Sequence, residues 1–306
     1  MNKKLSSSFH RINYDKPLSK FNKIMWFLCN FLNNQFKNFN VDKNIKLLQF
    51  DLSNYDLNFD KISFTNSPLR YLSDLFLYSL PWKEIIDSIG RLKIIEMGCG
   101  RGIYGSLLNS ILNEDVISYN GIDISQKEEW KNLNSKFNFY IDSSDNISKY
   151  IEDNNFIFTI TAIEHFENDL RFFREISKCI EKQDKPVMQL HIMPAYPCLK
   201  TYLGHGVRQY NLKNISKITK LFSEKFSKYI VPIGNKSFND LTFDYITIPR
   251  IKKSKDKRYL NSEKYKNKLI NLLTNTNNSN ENPTAYALII ASNFNSNFVF
   301  KDDKIF

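Results

Sequence analysis

The clearest chemical pattern in this chain is three glycines at alternate positions, Gly98, Gly100 and Gly102, preceded by the acid Glu96. They follow a short apolar run at 92–95. Glycine has no Cβ, so such a loop lets a ligand approach the backbone. It also permits a tight strand-to-helix turn whose N–H groups point outward. The pattern therefore predicts a nucleotide-binding loop.

Two classes of nucleotide fit these glycines, depending on which one begins the loop. Read from Gly100 to Gly105, the spacing is nominally the fingerprint of a nicotinamide dinucleotide. That register would put Glu96 and Gly98 inside a buried strand, where an unpaired carboxylate is costly and glycine weakens the strand. Read from Gly98, the strand ends at Ile95 and Glu96 lies at its carboxyl edge, where ligands bind in doubly wound sheets.

Two later strands are predicted to end in acidic residues. One begins at Val116 and ends at Asp123, 27 residues after Glu96, where a carboxylate can accept both ribose hydroxyls of either nucleotide. The next, at 138–141, ends at Asp142, for which a ligand role and a helix N-cap are equally good interpretations. These strands favour a nucleotide fold without deciding the nucleotide.

The run Glu96-x-Gly98-x-Gly100-x-Gly102 resembles the first motif of class I S-adenosylmethionine-dependent methyltransferases. A fourth predicted strand, 156–163, runs into Glu164 and His165, a pair that recurs in one large branch of this family and that nicotinamide enzymes do not share. In the family, the acid at the Asp142 position meets the adenine amino group. The chain is therefore identified as resembling the Glu-His branch, of small-molecule or glycan type.

The resemblance implies an α/β fold, a Rossmann-like doubly wound and mostly parallel seven-stranded sheet with helices on both faces and an amino-terminal helical extension. It implies S-adenosyl-L-methionine as the cofactor. The implied cofactor-binding residues are Glu96, Gly98, Cys99, Gly100, Gly102, Asp123, Ile124, Asp142, Ser143, Thr161 and Ala162.

Further elements follow from periodicity and composition. Residues 1–65 are expected to form the extension, 66–295 the methyltransferase domain with a basic and Asn-rich insertion at about 250–283, and 296–306 a tail. Apolar residues spaced by three or four predict an amphipathic helix in the extension, packed on the domain or on a partner protomer. They are Phe21, Met25, Leu28, Leu32 and Phe36.

A second group of elements is predicted around the domain's later strands. Ser67 and Pro68 are typical of an N-cap and first helical position. Helices are expected at 69–79, 83–89, 104–112, 169–181 and 213–229, and strands at 186–193, 229–232, 242–248 and 284–292. By resemblance, the last strand is antiparallel and completes the sheet. The run 252–268 is expected to be a solvated helix and loop, with a basic rim for a phosphorylated acceptor as the alternative.

Methyl transfer is an in-line displacement, so the enzyme must align the reactants and exclude water. An oxygen acceptor also needs a base, and histidine is suited to that work at neutral pH. His205, in a loop dense in aromatic residues, is the first candidate, followed by His165 and Glu164. The residues expected to bind the acceptor are His191, which also shares the candidacy as base, Tyr196, Arg208 and Tyr210.

The acceptor class is narrowed by missing motifs. Amino-methylating DNA enzymes carry an Asn or Asp, two prolines and an aromatic residue after strand four, where this chain has Thr161-Ala-Ile. Pro197-Cys198 follows strand five rather than strand four, unlike the nucleophile of cytosine-C5 enzymes. No metal site is expected. O-methylation of a sugar, a surface-polysaccharide precursor or a related metabolite remains; an NAD(P)-dependent oxidoreductase and a catalytically silent partner of the same fold are the alternatives.

The net charge of +11, from 43 basic and 32 acidic side chains, favours phosphorylated or nucleotide-linked acceptors, although richness in Lys, Asn, Ile and Phe throughout discounts it. No nucleic-acid partner is expected. The four cysteines have no metal-ligand spacing and suggest a reducing compartment. No apolar run spans a bilayer and no secretory signal is evident, so we expect a cytoplasmic protein.

Overall fold

The computed structural model describes residues 6–8, 19–38, 40–50, 66–133, 135–203, 207–275, 281–292 and 304–305. Strands and helices alternate along most of this length. The strands are β1 (Ile45–Leu47), β2 (Gln49–Phe50), β3 (Leu92–Met97), β4 (Val116–Asp123), β5 (Phe137–Ile141), β6 (Phe156–Ile160), β7 (Val187–Pro194), β8 (Ser227–Ile233), β9 (Ala285–Ser292) and β10 (Lys304–Ile305).

Eight of the described strands form one sheet, in the order β1-β8-β9-β7-β6-β3-β4-β5. Neighbours are parallel except at β9, which runs antiparallel to both β7 and β8. Because the chain winds outward from β3 in both directions, the sheet is doubly wound. The predicted fold class is confirmed, and β1 adds an eighth strand at the edge of the seven that were expected.

Helices cover both faces of this sheet. They are α1 (Lys20–Gln35), α2 (Pro68–Ser79), α3 (Trp82–Ile89), α4 (Ile103–Leu112), α5 (Asp169–Ile180), α6 (Leu212–Thr219), α7 (Lys236–Thr242), α8 (Ile248–Ile251), α9 (Lys257–Leu260) and α10 (Ser262–Asn275). Strands β6, β7 and β9 are buried along their whole length. A sheet buried on both faces reads as nearly continuous apolar runs, which explains why these strands are recognisable in the sequence.

The predicted strand at 242–248 is wrong, because this segment is helical. Helix α7 continues through a π-helical turn, Phe243–Thr247, into α8. Phe238, Leu241 and Tyr245 are buried at helical spacing. The helix predicted over 213–229 is also too long, since α6 ends at Thr219.

The amino-terminal helix α1 forms as predicted but turns a different face to the domain. The apolar side chains at its ends are exposed, Phe21 by 69% and Leu32 by 53%. The buried positions are Trp26, Asn30 and Asn33. The indole Nε1–H of Trp26 donates to the Val207 carbonyl at 3.1 Å, so specific hydrogen bonds, rather than the apolar stripe, orient the helix. In the described part of the chain, no helix is both long and apolar enough to cross a membrane.

Candidate functional site

The loop after β3 begins at Gly98, which lies against the end of β6. The N–H groups of Gly98 and Cys99 both donate to the Ile122 carbonyl, at 2.7 and 3.1 Å. Gly98 has φ of +78°, and a Cβ built on it would lie 2.5 Å from the Cβ of Ala162. Only glycine fits this place, because the left-handed backbone and the close neighbour both exclude a side chain. The first glycine after the strand is thus Gly98, as the second of the two registers predicts.

Gly100 is joined to the end of the next strand. Its N–H donates to Asp123 Oδ2 at 2.9 Å, and its carbonyl accepts from Trp130 Nε1 at 2.9 Å. The other carboxylate oxygen of Asp123 accepts from the Ser125 N–H at 3.3 Å. Each oxygen keeps a further lone pair. Asp123 therefore fixes the glycine loop and still presents acceptors at the carboxyl edge of the sheet.

The sequence predicts that Glu96 lies at the carboxyl edge of the sheet. In the structure it lies inside β3 instead. It is 1% exposed and accepts a hydrogen bond from the Tyr119 hydroxyl. Burial raises the pKa of its carboxyl group to about 8. The backbone of Gly105, in the first turn of α4, partly opposes this rise in pKa. Glu96 thus joins β3 to β4 through Tyr119, and this pairing explains how an acid is tolerated there.

A cavity of about 450 Å³ opens at the carboxyl ends of β3, β4, β5 and β6; we call it the glycine-loop cavity. The predicted cofactor residues that line it are Gly98, Asp123, Ile124, Asp142, Ser143, Thr161 and Ala162. Glu96, Cys99 and Gly100 line a smaller adjoining cavity of about 170 Å³. Gly102 lines neither and forms the N-cap position of α4, where a Cβ would lie 3.0 Å from the Phe139 ring.

Asp142 is held by four protein donors. Its Oδ1 accepts from the Ser143 N–H and from Asn146, and its Oδ2 accepts from Lys149 and Tyr150. The hydrogen bond from Asn146, with those from the other donors, holds the pKa of this carboxyl group well below its usual range. The N-cap role considered for Asp142 is wrong, because Ser143 is the N-cap of the following 3₁₀ helix, Ser144–Tyr150. Asp142 instead orders this turn through its four donors and also lines the glycine-loop cavity.

The predicted Glu164 and His165 lie on one 3₁₀ turn, Ile163–His165, just beyond β6. Thr161, with φ of +49°, turns the backbone away from the strand. His165 lines both the glycine-loop cavity and a second cavity, and Glu164, which is 2% exposed, lines the second alone. The turn therefore stands between two cavities.

Arg208 and Tyr210 lie beneath this turn and line neither cavity. The Arg208 Nη1 donates to the Phe166 carbonyl at 3.0 Å and lies 3.2 Å from Asp169 Oδ2. The Tyr210 hydroxyl donates to the same carboxylate at 3.1 Å. Both side chains are buried. They position the Glu164–His165 turn, in contrast to the acceptor contact expected from sequence.

His191 and Tyr196 are not brought to the cavities. His191 lies in β7, fully buried, 3.0 Å from the Thr159 hydroxyl, and burial lowers its pKa to about 3. Such a histidine is a poor base at neutral pH. Tyr196 accepts from Lys37 Nζ at 2.7 Å, next to α1. His205 lies outside the described residues.

The second cavity, of about 480 Å³, lies between the Glu164–His165 turn and helices α2, α7, α8 and α9. We call it the arginine cavity, because four arginines line it: Arg70, Arg101, Arg250 and Arg258. They come from four separate segments, so only the fold brings them together. Arg258 lies in the basic run at 252–268, which is recognisable in the sequence. No local sequence pattern identifies Arg70, Arg101 or Arg250 as part of a site.

Comparison with protein families and with curated proteins finds no match. Solved structures of similar architecture include the plantazolicin methyltransferase BpumL in complex with SAH, with 16% identity over 79% of this chain and 93% of that one, at a TM-score of 0.46. Another is the methyltransferase domain of bacterial CtHen1, with 18% identity over 55% and 91%, at 0.42. The YcgJ protein from Bacillus subtilis has 15% identity over 70% and 97%, at 0.39. The strand order, rather than these distant likenesses, establishes the fold of this chain.

Proposed function

We propose that this chain is an S-adenosylmethionine-dependent methyltransferase that binds its cofactor in the glycine-loop cavity. The observation that carries the proposal is the sheet order with β9 antiparallel between β7 and β8. Dinucleotide-binding sheets of the nicotinamide type have a sixth parallel strand at that edge. The antiparallel strand is the feature that the methyltransferase resemblance implies and the oxidoreductase alternative does not.

The residues of the glycine-loop cavity fit this cofactor. Asp123 offers carboxylate oxygens for ribose hydroxyls, and Gly98 presents backbone alone to the cavity, with its N–H group bonded within the protein. Ile124 is 71% exposed although apolar, and it shares the cavity with Phe166. An exposed apolar side chain beside an aromatic ring suits the faces of an adenine base. These residues would therefore hold the nucleoside part.

The charge of this cavity also favours the sulfonium cofactor. Four carboxylates line it, those of Asp123, Asp142, Asp145 and Glu167. Among the described lining residues there is one lysine and no arginine. Lys149 and Arg171 pair with two of these acids from outside the cavity. Lys127, the lysine of the lining, lies 3.9 Å from the Asp123 carboxylate, so the cavity is weakly negative. That charge favours a cofactor with net positive charge over a dinucleotide pyrophosphate.

When bound, S-adenosylmethionine supplies an activated methyl group, which passes to the acceptor as the sulfur keeps the electron pair of the broken bond. The protein's share is alignment, exclusion of water and removal of the acceptor proton. We assign removal of the acceptor proton to His165, because this residue lines both cavities. Glu164 is the neighbouring acid on the same turn. His205 stays a prediction.

The arginine cavity would hold the acceptor, since Thr161 and His165 line both cavities and mark where they meet. We keep an oxygen of a sugar, a surface-polysaccharide precursor or a related small metabolite as the proposed acceptor. The polar lining of this cavity, rich in hydrogen-bond donors, supports a small hydroxylated molecule. Cytoplasmic location and a homodimer through the amino-terminal helices also stay predictions; light scattering of the purified protein tests the second.

Isothermal titration with S-adenosylhomocysteine and with NAD tests the cofactor. We expect the first to bind and the second not to bind. Asp123→Asn should weaken the first at least about tenfold through lost ribose contacts. Asp115→Asn, outside the cavity, is the matched control. Binding of NAD alone would overturn the proposal in favour of an oxidoreductase. Cofactor binding without transfer of labelled methyl to any lysate fraction would favour a catalytically silent protein.

A further inference from the structure

The arginine cavity concentrates positive charge, because four arginines line it. Arg70 lies on α2, Arg101 in the glycine loop, Arg250 on α8 and Arg258 on α9. Glu164 is the single acidic side chain among the described residues that line this cavity. Bringing guanidinium groups together costs free energy because like charges repel. A fold gathers them around one cavity where an anion offsets that repulsion.

Internal ion pairs account for only part of this cluster. Arg258 is held by Asp256, with Nη2 2.8 Å from Oδ2. Arg101 lies 3.7 Å from Glu129, and both side chains are half exposed or more, so the pair contributes little. In the described chain, no ion pair involves Arg70 or Arg250. Asp74 and Asp256 interact electrostatically with Arg70 and Arg250 without forming an ion pair, so both guanidinium groups keep hydrogen-bond donors for a ligand.

The two cavities carry opposite charge. Carboxylates dominate the lining of the glycine-loop cavity, and guanidinium groups dominate that of the arginine cavity. They meet at Thr161 and His165, which line both. This difference in charge favours a cationic ligand in the glycine-loop cavity and an anionic ligand in the arginine cavity.

We propose that the methyl acceptor carries a phosphate group, as a phosphate ester or a diphosphate, and that Arg70 and Arg250 bind it. This inference rests on the proposed function for the identity of the transferred group, but the anion site stands on the cavity itself. The planar guanidinium matches phosphate oxygens in bidentate fashion, and two such groups suit a dianion better than a single carboxylate. Arg101, at the rim of the glycine loop, adds attraction. The acceptor oxygen then lies on the His165 side.

The test is titration of the full-length protein with inorganic phosphate, pyrophosphate and succinate at low salt, with and without saturating S-adenosylhomocysteine. We expect pyrophosphate to bind more tightly than phosphate or succinate. Its affinity should be the same with and without S-adenosylhomocysteine. Arg70→Gln with Arg250→Gln should weaken pyrophosphate binding at least about tenfold, because charged hydrogen bonds are lost. Arg250→Gln alone, at a residue that lines neither the glycine-loop cavity nor the smaller cavity beside it, should leave S-adenosylhomocysteine binding unchanged.

Arg174→Gln, an arginine on α5 that lines neither cavity, is the matched control and should keep wild-type affinity for both ligands. Pyrophosphate binding that survives the double substitution would overturn the inference, as would succinate binding as tightly as pyrophosphate. Competition between pyrophosphate and S-adenosylhomocysteine would place the phosphate in the wrong cavity and also overturn it. Failure of S-adenosylhomocysteine to bind, with the arginine-dependent pyrophosphate binding intact, would instead count against the proposed function alone.

Discussion

Arg208 and Asp169 form a fully buried ion pair, with Nη1 3.2 Å from Oδ2, under the turn that carries Glu164 and His165. The guanidinium also donates to the Phe166 carbonyl at 3.0 Å and to the Ser8 hydroxyl at 3.2 Å. The Arg208 guanidinium thus contacts α5, the residue that follows the turn and the amino-terminal residue Ser8. The position of the turn depends on side chains that face neither cavity.

We predict that Arg208→Met destabilises the protein by about 3–5 kcal/mol, because it leaves the Asp169 carboxylate buried without its cation. Urea unfolding measures this free energy. Arg208→Met combined with Asp169→Leu should recover part of the loss, since neither charge then remains. A single variant as stable as the wild type would show that the pair does not hold the turn. Arg174→Gln on α5 serves as the control.

The contact between Gly98 and Ala162 gives a second prediction. Gly98→Ala should weaken S-adenosylhomocysteine binding more than tenfold, because the new Cβ would lie 2.5 Å from that of Ala162 at a φ of +78°. The double variant Gly98→Ala with Ala162→Gly removes the overlap and should recover most of the affinity. Calorimetry measures both.

Gly100→Ala is the matched control for this pair. Gly100 has φ of +51°, and no neighbouring atom lies within 4 Å of the place that an added methyl group would take, so the substitution carries only the backbone strain. That strain costs about 1–2 kcal/mol of stability. If Gly98→Ala and Gly100→Ala lose the same affinity, strain alone explains the effect and the Ala162 contact is irrelevant.

The sheet could be predicted from sequence because its strands are short apolar runs that end in marked residues. Val116 to Asp123 is the observed β4, and the strand at 284–292 differs from β9 by one residue. The carboxyl ends of parallel strands converge, so the residues that follow them, such as Ile124 and Thr161, could be assigned to one cavity in advance.

Other parts depend on tertiary contacts that no local pattern records. The 242–248 run is β-branched and aromatic, yet burial of Phe238 and Tyr245 at helical spacing makes the segment helical. Arg208, in a loop expected to be functional, pairs instead with Asp169 on α5. The four arginines of the second cavity come from separate segments. Local sequence identifies residue types that could act, but the packing decides which do.

The raised pKa values of buried Glu96 and half-buried Asp74 predict how stability depends on pH. Burial raises the pKa of Glu96 to about 8 and that of Asp74 to about 7. Between the lower pKa values of the unfolded chain and these raised values, the two carboxyl groups are protonated in the folded state and ionised in the unfolded state. The stabilisation is complete below those lower values and is lost as pH rises through about 7 and 8.

We expect the free energy of unfolding, measured in urea, to fall between pH 5 and pH 8 by up to about 1.4 kcal/mol per pH unit for each proton involved. Glu96→Gln should flatten the part of the slope that extends to the highest pH, and Asp74→Asn the part that ends lower. Asp87→Asn, at an exposed acid on α3, should leave the slope unchanged. A Glu96→Gln variant with the wild-type slope would show that this carboxyl group is already ionised in the folded protein.

The placement of His165 between the two cavities predicts its effect on turnover, given the proposed methyl transfer. His165→Gln keeps the size and polarity of the side chain but removes the base, so we expect kcat to fall by about 10²–10⁴-fold. The affinity for S-adenosylhomocysteine should change little, because the nucleoside part meets Asp123 and Ile124 instead. Labelled methyl transfer to a phosphorylated acceptor measures kcat, and calorimetry measures the affinity.

His205→Gln is the competing variant, since His205 is the first candidate from sequence. If His205→Gln loses turnover and His165→Gln does not, the base is His205, and His165, which lines both cavities, is not the base. If both variants lose turnover while both still bind S-adenosylhomocysteine, the proton passes through both groups. If neither loses turnover, Glu164→Gln becomes the decisive variant, because Glu164 is the other ionisable group that the turn presents to the acceptor cavity. Retained activity in all three would exclude general-base catalysis from this turn and from the loop.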